Sequence, residues 1–435
     1  MTSEKHLKAR IRARMAKTGE RYATARRHVV GSGDPTTVSG ARRSREDAAA
    51  SDRGYLLRGG VHPESANIAN LLHRHGTDIS EAMVLGIGGG LGAGYILWEF
   101  AQHDHKDLVL GFRNRWNYLD WTEKALRRLD APFRTRRTGG TKKAEASLVA
   151  ALEEGQPAII VPDRQLIGYW HLPSYLECHG GHQLVAYALA GGGARLDDRN
   201  VQPLTVDSDT LSRARARVPS YQNFQVDIGG PPRADLRAAV IAGINECVQH
   251  LGGSSTSFAA PAWRKWAKLL TDERAAKGWP RVFADGRGLL GALMSVWEEV
   301  EPVGASGGHL RGLYADFLDE AAALLGAPAL VGCAEAFRHA GTCWHDVAET
   351  ALPGDVPEYA RLRELTAALA AGVAAGDSGA ADRADAAGEL WHLRQEFAAN
   401  PPVPVDLQAL AGKVGAAYEA ELEAVDTLRK AAADL

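Results

Sequence analysis

Cysteine is scarce in this chain. There are four in 435 residues, Cys178, Cys247, Cys333 and Cys343, without zinc-type spacing and too few for a disulfide scaffold. Long apolar runs are missing too. Every hydrophobic stretch breaks off well before membrane-spanning length, and no signal-peptide pattern opens the sequence, so a soluble, cytoplasmic protein with no membrane partner is expected. An excess of one charge is also lacking. Lys and Arg number 50 against 53 Asp and Glu, a net −3, which steers the whole chain toward neither nucleic acid nor anionic membrane. No repeat recurs at a solenoid period.

The length allows two or three domains. Residues 1–50 carry many Lys and Arg, with Leu7, Ile11, Met15 and Tyr22 at near-helical spacing, and a Gly/Ser/Thr-rich segment follows over 31–40. They read as a basic helical arm and linker, more in keeping with a solvated helix than with a nucleic-acid binder. Residues 51–230 mix helix and strand signals. Helices are predicted over 117–130, with Leu119, Leu126 and Leu129 on one face, and from a Thr141 cap to Gly155. Strands are predicted at 108–112, 158–161 and 183–189. Residues 231–355 turn helical, with stripes at Leu236, Val240, Ile244, Cys247, Val248 and Leu251, and at Leu289, Leu293, Met294, Trp297 and Val300. Residues 356–435 are Ala-rich helices broken at Asp377-Ser378-Gly379 and by the stiff Pro401–Pro404 spacer. Their thin stripes (Leu362, Leu365, Leu369; Leu407, Leu410, Val414) need a packing surface, and the expectation is a homodimer formed by the helical C-terminal half, with or without the N-terminal arm, in which the spacer lets the last helix reach another surface.

The most informative stretch is residues 60–98. Pro63 suits the first helical position and Glu64 the positive end of the dipole. Ile68, Leu71 and Leu72 form the apolar stripe, and Gly76 stops the helix. Ser80 caps a second short helix from Glu81 to Leu85, and six glycines fall among residues 86–94. They follow a helix, and no Lys-Ser or Lys-Thr comes after them. A phosphate-binding loop is therefore disfavoured against a close backbone crossing.

HPESANIANLL followed by DISEAMVLGIGGGLGAGYI resembles the N-terminal domain of the butirosin-biosynthesis acyltransferase family. The resemblance continues in residues 168–182, with a His-Leu-Pro element and a glycine-preceded histidine entering a strand. It reaches Leu196-Asp197-Asp198-Arg199, where the family carries Asp-Arg at a strand end. Residues 307–318 and 344–352 resemble the helical domain of unknown function that commonly follows. The resemblance implies an α+β fold with a papain-like N-terminal domain and an all-α C-terminal domain. It also implies acyl- or aminoacyl-transfer chemistry in specialised (antibiotic) metabolism, on a small-molecule or carrier-protein-bound acyl substrate and without a cofactor. At the family's cysteine position stands Pro63, which cannot attack anything.

By that resemblance His182 is the base and Asp198 its orienting partner, with Asp197 and Asn200 as alternatives. Three replacements for the thiol stay open. Ser65 lies on the same first turn, though about 200° around the helix from position 63. Cys178 is close in sequence to His182. The third and favoured option has no covalent nucleophile: His182 and Asp198 serve as general base, with Glu64 or His62 as polar partner. Ser80, Glu81, Tyr95, Trp170 and His171 are the substrate-binding candidates. A metal held by His171, Cys178, His179 and His182, or near His103 and His105, is disfavoured against a hydrogen-bonded polar cluster. Trp116, Tyr118, Trp121, Tyr169, Trp170 and Tyr175 could line a pocket or simply pack a core. His309 and His345 read as structural. A non-catalytic binding or scaffold protein that lost its thiol is the competing reading. It expects a filled cleft where an enzyme expects an open one.

Overall fold

A computed structural model describes residues 54–100, 105–114, 117–177, 180–399 and 401–435. The expected basic arm, His103, Trp116, Cys178 and His179 lie outside these residues, as do the side chains of His105 and Tyr118. The first described helix, α1 (Pro63–Arg74), begins at the proline, and the His62 imidazole caps it by accepting from the Ser65 N–H at 3.4 Å. Ile68, Leu71 and Leu72 are buried. Ser80 caps α2 (Glu81–Ile87), its hydroxyl accepting from the Met83 N–H at 2.9 Å. The glycines that follow permit close approach. A Cβ at Gly88 would run into the Trp121 indole, and one at Gly92 into the Arg113 carbonyl.

Strands β1 (Tyr95–Phe100) and β2 (His105–Leu110) form an antiparallel ribbon with Tyr95 opposite Leu110. Helix α3 (Tyr118–Arg128) follows, capped by Asn117, whose Oδ1 accepts from Leu119 and Asp120. Then come β3 (Phe133–Arg136), α4 (Thr141–Glu153), β4 (Ala158–Ile160), β5 (Leu184–Ala190), β6 (Gly193–Asp197), β7 (Leu204–Asp207), α5 (Ser208–Arg217) and β8 (Gln225–Ile228). The six strands from β3 onward make one antiparallel sheet in the order β3-β8-β4-β5-β6-β7. Strand β8, last in sequence, is thus inserted beside β4. Thr141 is the first residue of α4 and not its cap; Gly140 holds that place without a side-chain bond.

Beyond the sheet the chain is helical: α6 (Leu236–Leu251), α7 (Pro261–Thr271), α8 (Trp279–Val282), α9 (Leu289–Val300), α10 (Arg311–Leu325), α11 (Ala329–Ala351), α12 (Pro357–Ala374), α13 (Ala380–Ala399) and α14 (Leu407–Ala432). The architecture is α+β with a helical C-terminal region. Residues 56–435 cluster as one compact unit. No described helix is long and apolar enough to cross a membrane. Helix α14 lies along α11 and α7 of its own chain, and Leu410 and Val414 are fully buried there. The stripe expected to reach a second subunit is therefore already covered, which removes the sequence argument for a homodimer through it.

A buried charge pair fastens α14. Glu421 accepts from Arg311 at 2.6 Å, from the Trp263 indole at 3.3 Å and from the Trp344 indole at 3.0 Å. Arg311 also donates to the Gly92 and His309 carbonyls at 3.0 and 2.6 Å. Removing one partner leaves the other charge buried and unpaired, which costs about 3–5 kcal/mol. Glu421→Ala is expected to lower the urea unfolding free energy by that amount, whereas Glu419→Ala on the exposed face of α14 changes it by about 0.5 kcal/mol or less.

Candidate functional site

Where β6 ends, the chain turns through Asp198, Arg199 and Asn200. Asn200 locks this turn. Its Oδ1 accepts from the Asp198 N–H at 2.6 Å, and its amide donates to the Leu196 and Gln202 carbonyls at 3.1 and 2.7 Å. His182 stands just before β5, and its N–H donates to the Pro162 carbonyl at 2.8 Å. The antiparallel β5–β6 pairing, Val185 opposite Asp197, brings the two ends together. His182 Nε2 lies 2.7 Å from Asp198 Oδ1.

The Asp198 carboxylate is held on every side. Its Oδ2 accepts from the Tyr169 hydroxyl at 2.9 Å and from the Trp170 indole N–H at 3.0 Å, and Arg199 approaches Oδ1 at 3.3 Å. Burial opposes ionisation here, but His182, Arg199 and Tyr169 together outweigh it and hold the carboxyl well below the usual range. A carboxylate on Nε2 fixes the hydrogen there, leaving Nδ1 as the acceptor. Nδ1 has no partner among the described residues. Trp170 packs edge-on against the His182 ring, with centroids 6.0 Å apart.

A second cluster surrounds the start of α1. His62 Nε2 lies 2.7 Å from Glu64 Oε2, and its Nδ1 lies 2.9 Å from the Ser65 hydroxyl. Glu81 reaches back from α2 to accept from the His62 N–H at 2.6 Å, the Val61 N–H at 3.0 Å and the Ser65 hydroxyl at 3.3 Å. Arg113 stands 3.7 Å from Glu64. Burial works against the Glu64 charge, yet Arg113 and His62 hold this carboxyl, too, well below its ordinary pKa. The Ser65–His62–Glu64 distances resemble a nucleophile set, but Ser65 has no accessible surface. Its hydroxyl knits α1 to α2.

Arg199 joins the clusters. One guanidinium nitrogen faces Asp198 and the other donates to the Val61 carbonyl at 2.9 Å. Asn70 adds a second tie, donating to Asp197 Oδ2 at 3.1 Å. The loop between α9 and α10 closes over this junction, with Gly307 packed so tightly on Val61 and His62 that a Cβ would clash. Arg199, His171 and Leu310 are held at φ 60°, 49° and 61°. Such strain in non-glycine residues persists only where surrounding contacts impose it.

The structure therefore gathers His182, Asp198 and Trp170 in one cluster, and His62, Glu64, Ser65 and Glu81 in the other. Three expected residues go elsewhere. Tyr95 stacks on Trp266 and accepts from the Trp279 indole at 2.9 Å, its hydroxyl pKa pushed up to about 12 by burial. Ser80 donates to Glu320 at 2.8 Å. His171 is exposed and joins neither cluster. Asp197, the alternative orienting residue, accepts instead from Asn70 and the Arg199 N–H. Among the described residues no group of three His, Cys, Asp or Glu could hold a metal ion. A groove of about 760 Å³ lies elsewhere, along α6 beside Arg128 and Phe258.

Residues 62–199 match the family described as Butirosin biosynthesis protein H, N-terminal. Residues 209–374 match the Domain of unknown function (DUF4872). No curated protein matches the chain. The butirosin match begins at His62 and ends at Arg199, so both clusters fall inside it. Helix α14, with Glu421, lies beyond both matched spans.

The low carboxyl pKa of Asp198 predicts a pH signature. A depressed carboxyl contributes stability above its unfolded pKa of about 3.9, lost as pH falls toward the folded value. Asp198→Asn is expected to be less stable than wild type at pH 7, and the gap between the two is expected to begin narrowing as pH falls below about 4. A gap that stays constant with pH would contradict this assignment.

Proposed function

We propose that this chain is an acyl- or aminoacyl-transfer enzyme of specialised metabolism, with a papain-like N-terminal domain that works without a covalent nucleophile. The match to a butirosin biosynthesis family supports the reaction class. Its carrying observation is the His182–Asp198 pair, oriented by a carboxylate with four donors, with His182 Nδ1 unpartnered among the described residues. Pro63 stands where the family's thiol would be and offers no attacking atom. An acceptor amine then attacks the acyl carbonyl directly, His182 Nδ1 takes the amine proton, and the C–S bond breaks as the amide forms, the departing thiolate receiving that proton from His182. Cys178 and Ser65 have no part in this scheme. The acyl donor is a small molecule or a carrier-bound thioester.

One observation favours a second reading. His182 and Asp198 are only 5 % and 3 % exposed, as expected of a binding or scaffold protein with a filled cleft. Turnover separates the two. Offered a panel of acyl thioesters with amine acceptors, the wild-type chain is expected to form amide, and His182→Ala is expected to lower the rate about 10²–10⁴-fold. An unchanged rate in the variant would overturn the role of His182. Substrate binding with no turnover in either protein would favour the scaffold reading.

A further inference from the structure

Arg164 is held in place and, among the described residues, forms no ion pair. Its backbone follows β4 and is fixed twice over: its own N–H donates to the Gly180 carbonyl at 3.2 Å, and Asp163 accepts from the Gln165 and Leu166 N–H groups at 2.9 and 2.8 Å. The guanidinium lies on the face of Trp170, 4.5 Å from the ring centroid. The same indole donates to Asp198 and packs against His182, so Arg164 stands one ring away from the proposed base. Its Nε is buried without a hydrogen-bond partner, although the residue as a whole is only half-buried. Among the described residues no carboxylate comes within ion-pair distance of it.

The acidic residues nearby are otherwise engaged. Glu298 pairs with Arg394 at 3.3 Å, Glu299 accepts from the Ser306 hydroxyl at 2.7 Å, and Asp198 is taken by His182 and Arg199. Burial pushes the Glu299 carboxyl up to about 7, against the pull of Ser306 and Arg164, so near neutral pH much of its charge is absent. Burial also draws the Arg164 pKa below its ordinary value, with Glu298, Asp198 and Glu299 pushing back. An arginine fork stacked on an aromatic face and lacking its own carboxylate is built for bidentate contact with an oxyanion.

We propose that Arg164, laid on Trp170 beside His182 and Asp198, is the anion-recognition residue of this site and takes a carboxylate or phosphate group of the bound substrate. The proposal rests on the transfer-site reading for the word substrate, but anion binding itself does not require turnover. The test is thermal unfolding of the full chain against increasing sodium phosphate, sodium acetate or neutral acetamide, with ionic strength balanced by chloride.

Wild type is expected to gain stability saturably with phosphate, acetate or both, and not with acetamide; the stronger arm names the group. Arg164→Gln is expected to weaken that response about tenfold or more, while His182→Ala keeps it. Equal responses in wild type and Arg164→Gln, or none in wild type, would overturn the proposal. A retained response alongside inactive protein would sink only the transfer reading. Should Arg164→Gln fail to fold, selective 15N-arginine labelling decides, with the Arg164 Nε signal identified by its loss in Arg164→Lys. A saturable shift of that signal with either anion supports the site, and an unmoved signal rejects it.

Discussion

The helical region hangs on one buried ion pair. Arg311 and Glu421 have no exposed side-chain surface, and a charge removed from water is tolerated only when its partners replace the lost hydration. Here Glu421 takes Arg311 and two indoles, and Arg311 takes Glu421 and the carbonyls of Gly92 and His309. The pair thus ties α7, α10, α11 and α14 to the glycine-rich run behind the site. It also anchors the start of α10, directly after the loop whose Gly307 seals Val61 and His62. The closure of the site and the packing of the C-terminal helix are therefore parts of one arrangement.

The same logic governs the site itself. Asp198 and Glu64 are buried carboxyls kept ionised by surrounding donors and cations, and each holds a histidine in a set orientation. Among the described residues, only one of the two histidines keeps a nitrogen without a partner. His62 spends both, on Glu64 and Ser65, so it serves to cap α1. His182 uses Nε2 on Asp198 and retains Nδ1. The division of roles follows from what each ring already touches, and it places the proposed base at the entry to β5 and not on the helix.

Local signals carried much of this into the sequence. Pro63, Ser80 and Asn117 mark helix starts by chemistry that acts within one turn, and the structure starts helices beside each of them. The long stripes of α6 and α9 were legible for the same reason. Strands β1, β3, β7 and β8 and helix α5 were not, and the strands among them are short and gain their stability from cross-strand partners far away in sequence. Helix α14 was visible as a helix but not by what covers it, since Glu421 looks like a surface residue until Arg311 and two indoles are brought to it. In the site, His182 and Asp198 were reachable through family resemblance. Glu81, Tyr169, Arg199 and Arg164 gain their roles only from contacts 19 to 138 residues away or from stacking, which no local pattern encodes.

The central proposal is that this chain transfers acyl groups without an acyl-enzyme; position 63 is proline, and Ser65 is enclosed. Intact-mass spectrometry of the full chain during turnover of an acyl thioester, with the amine acceptor present and then withheld, tests it most directly. The account predicts amide product with acceptor and an unchanged protein mass in both conditions. A protein mass raised by one acyl group when the acceptor is withheld, and discharged when it is added, would contradict it.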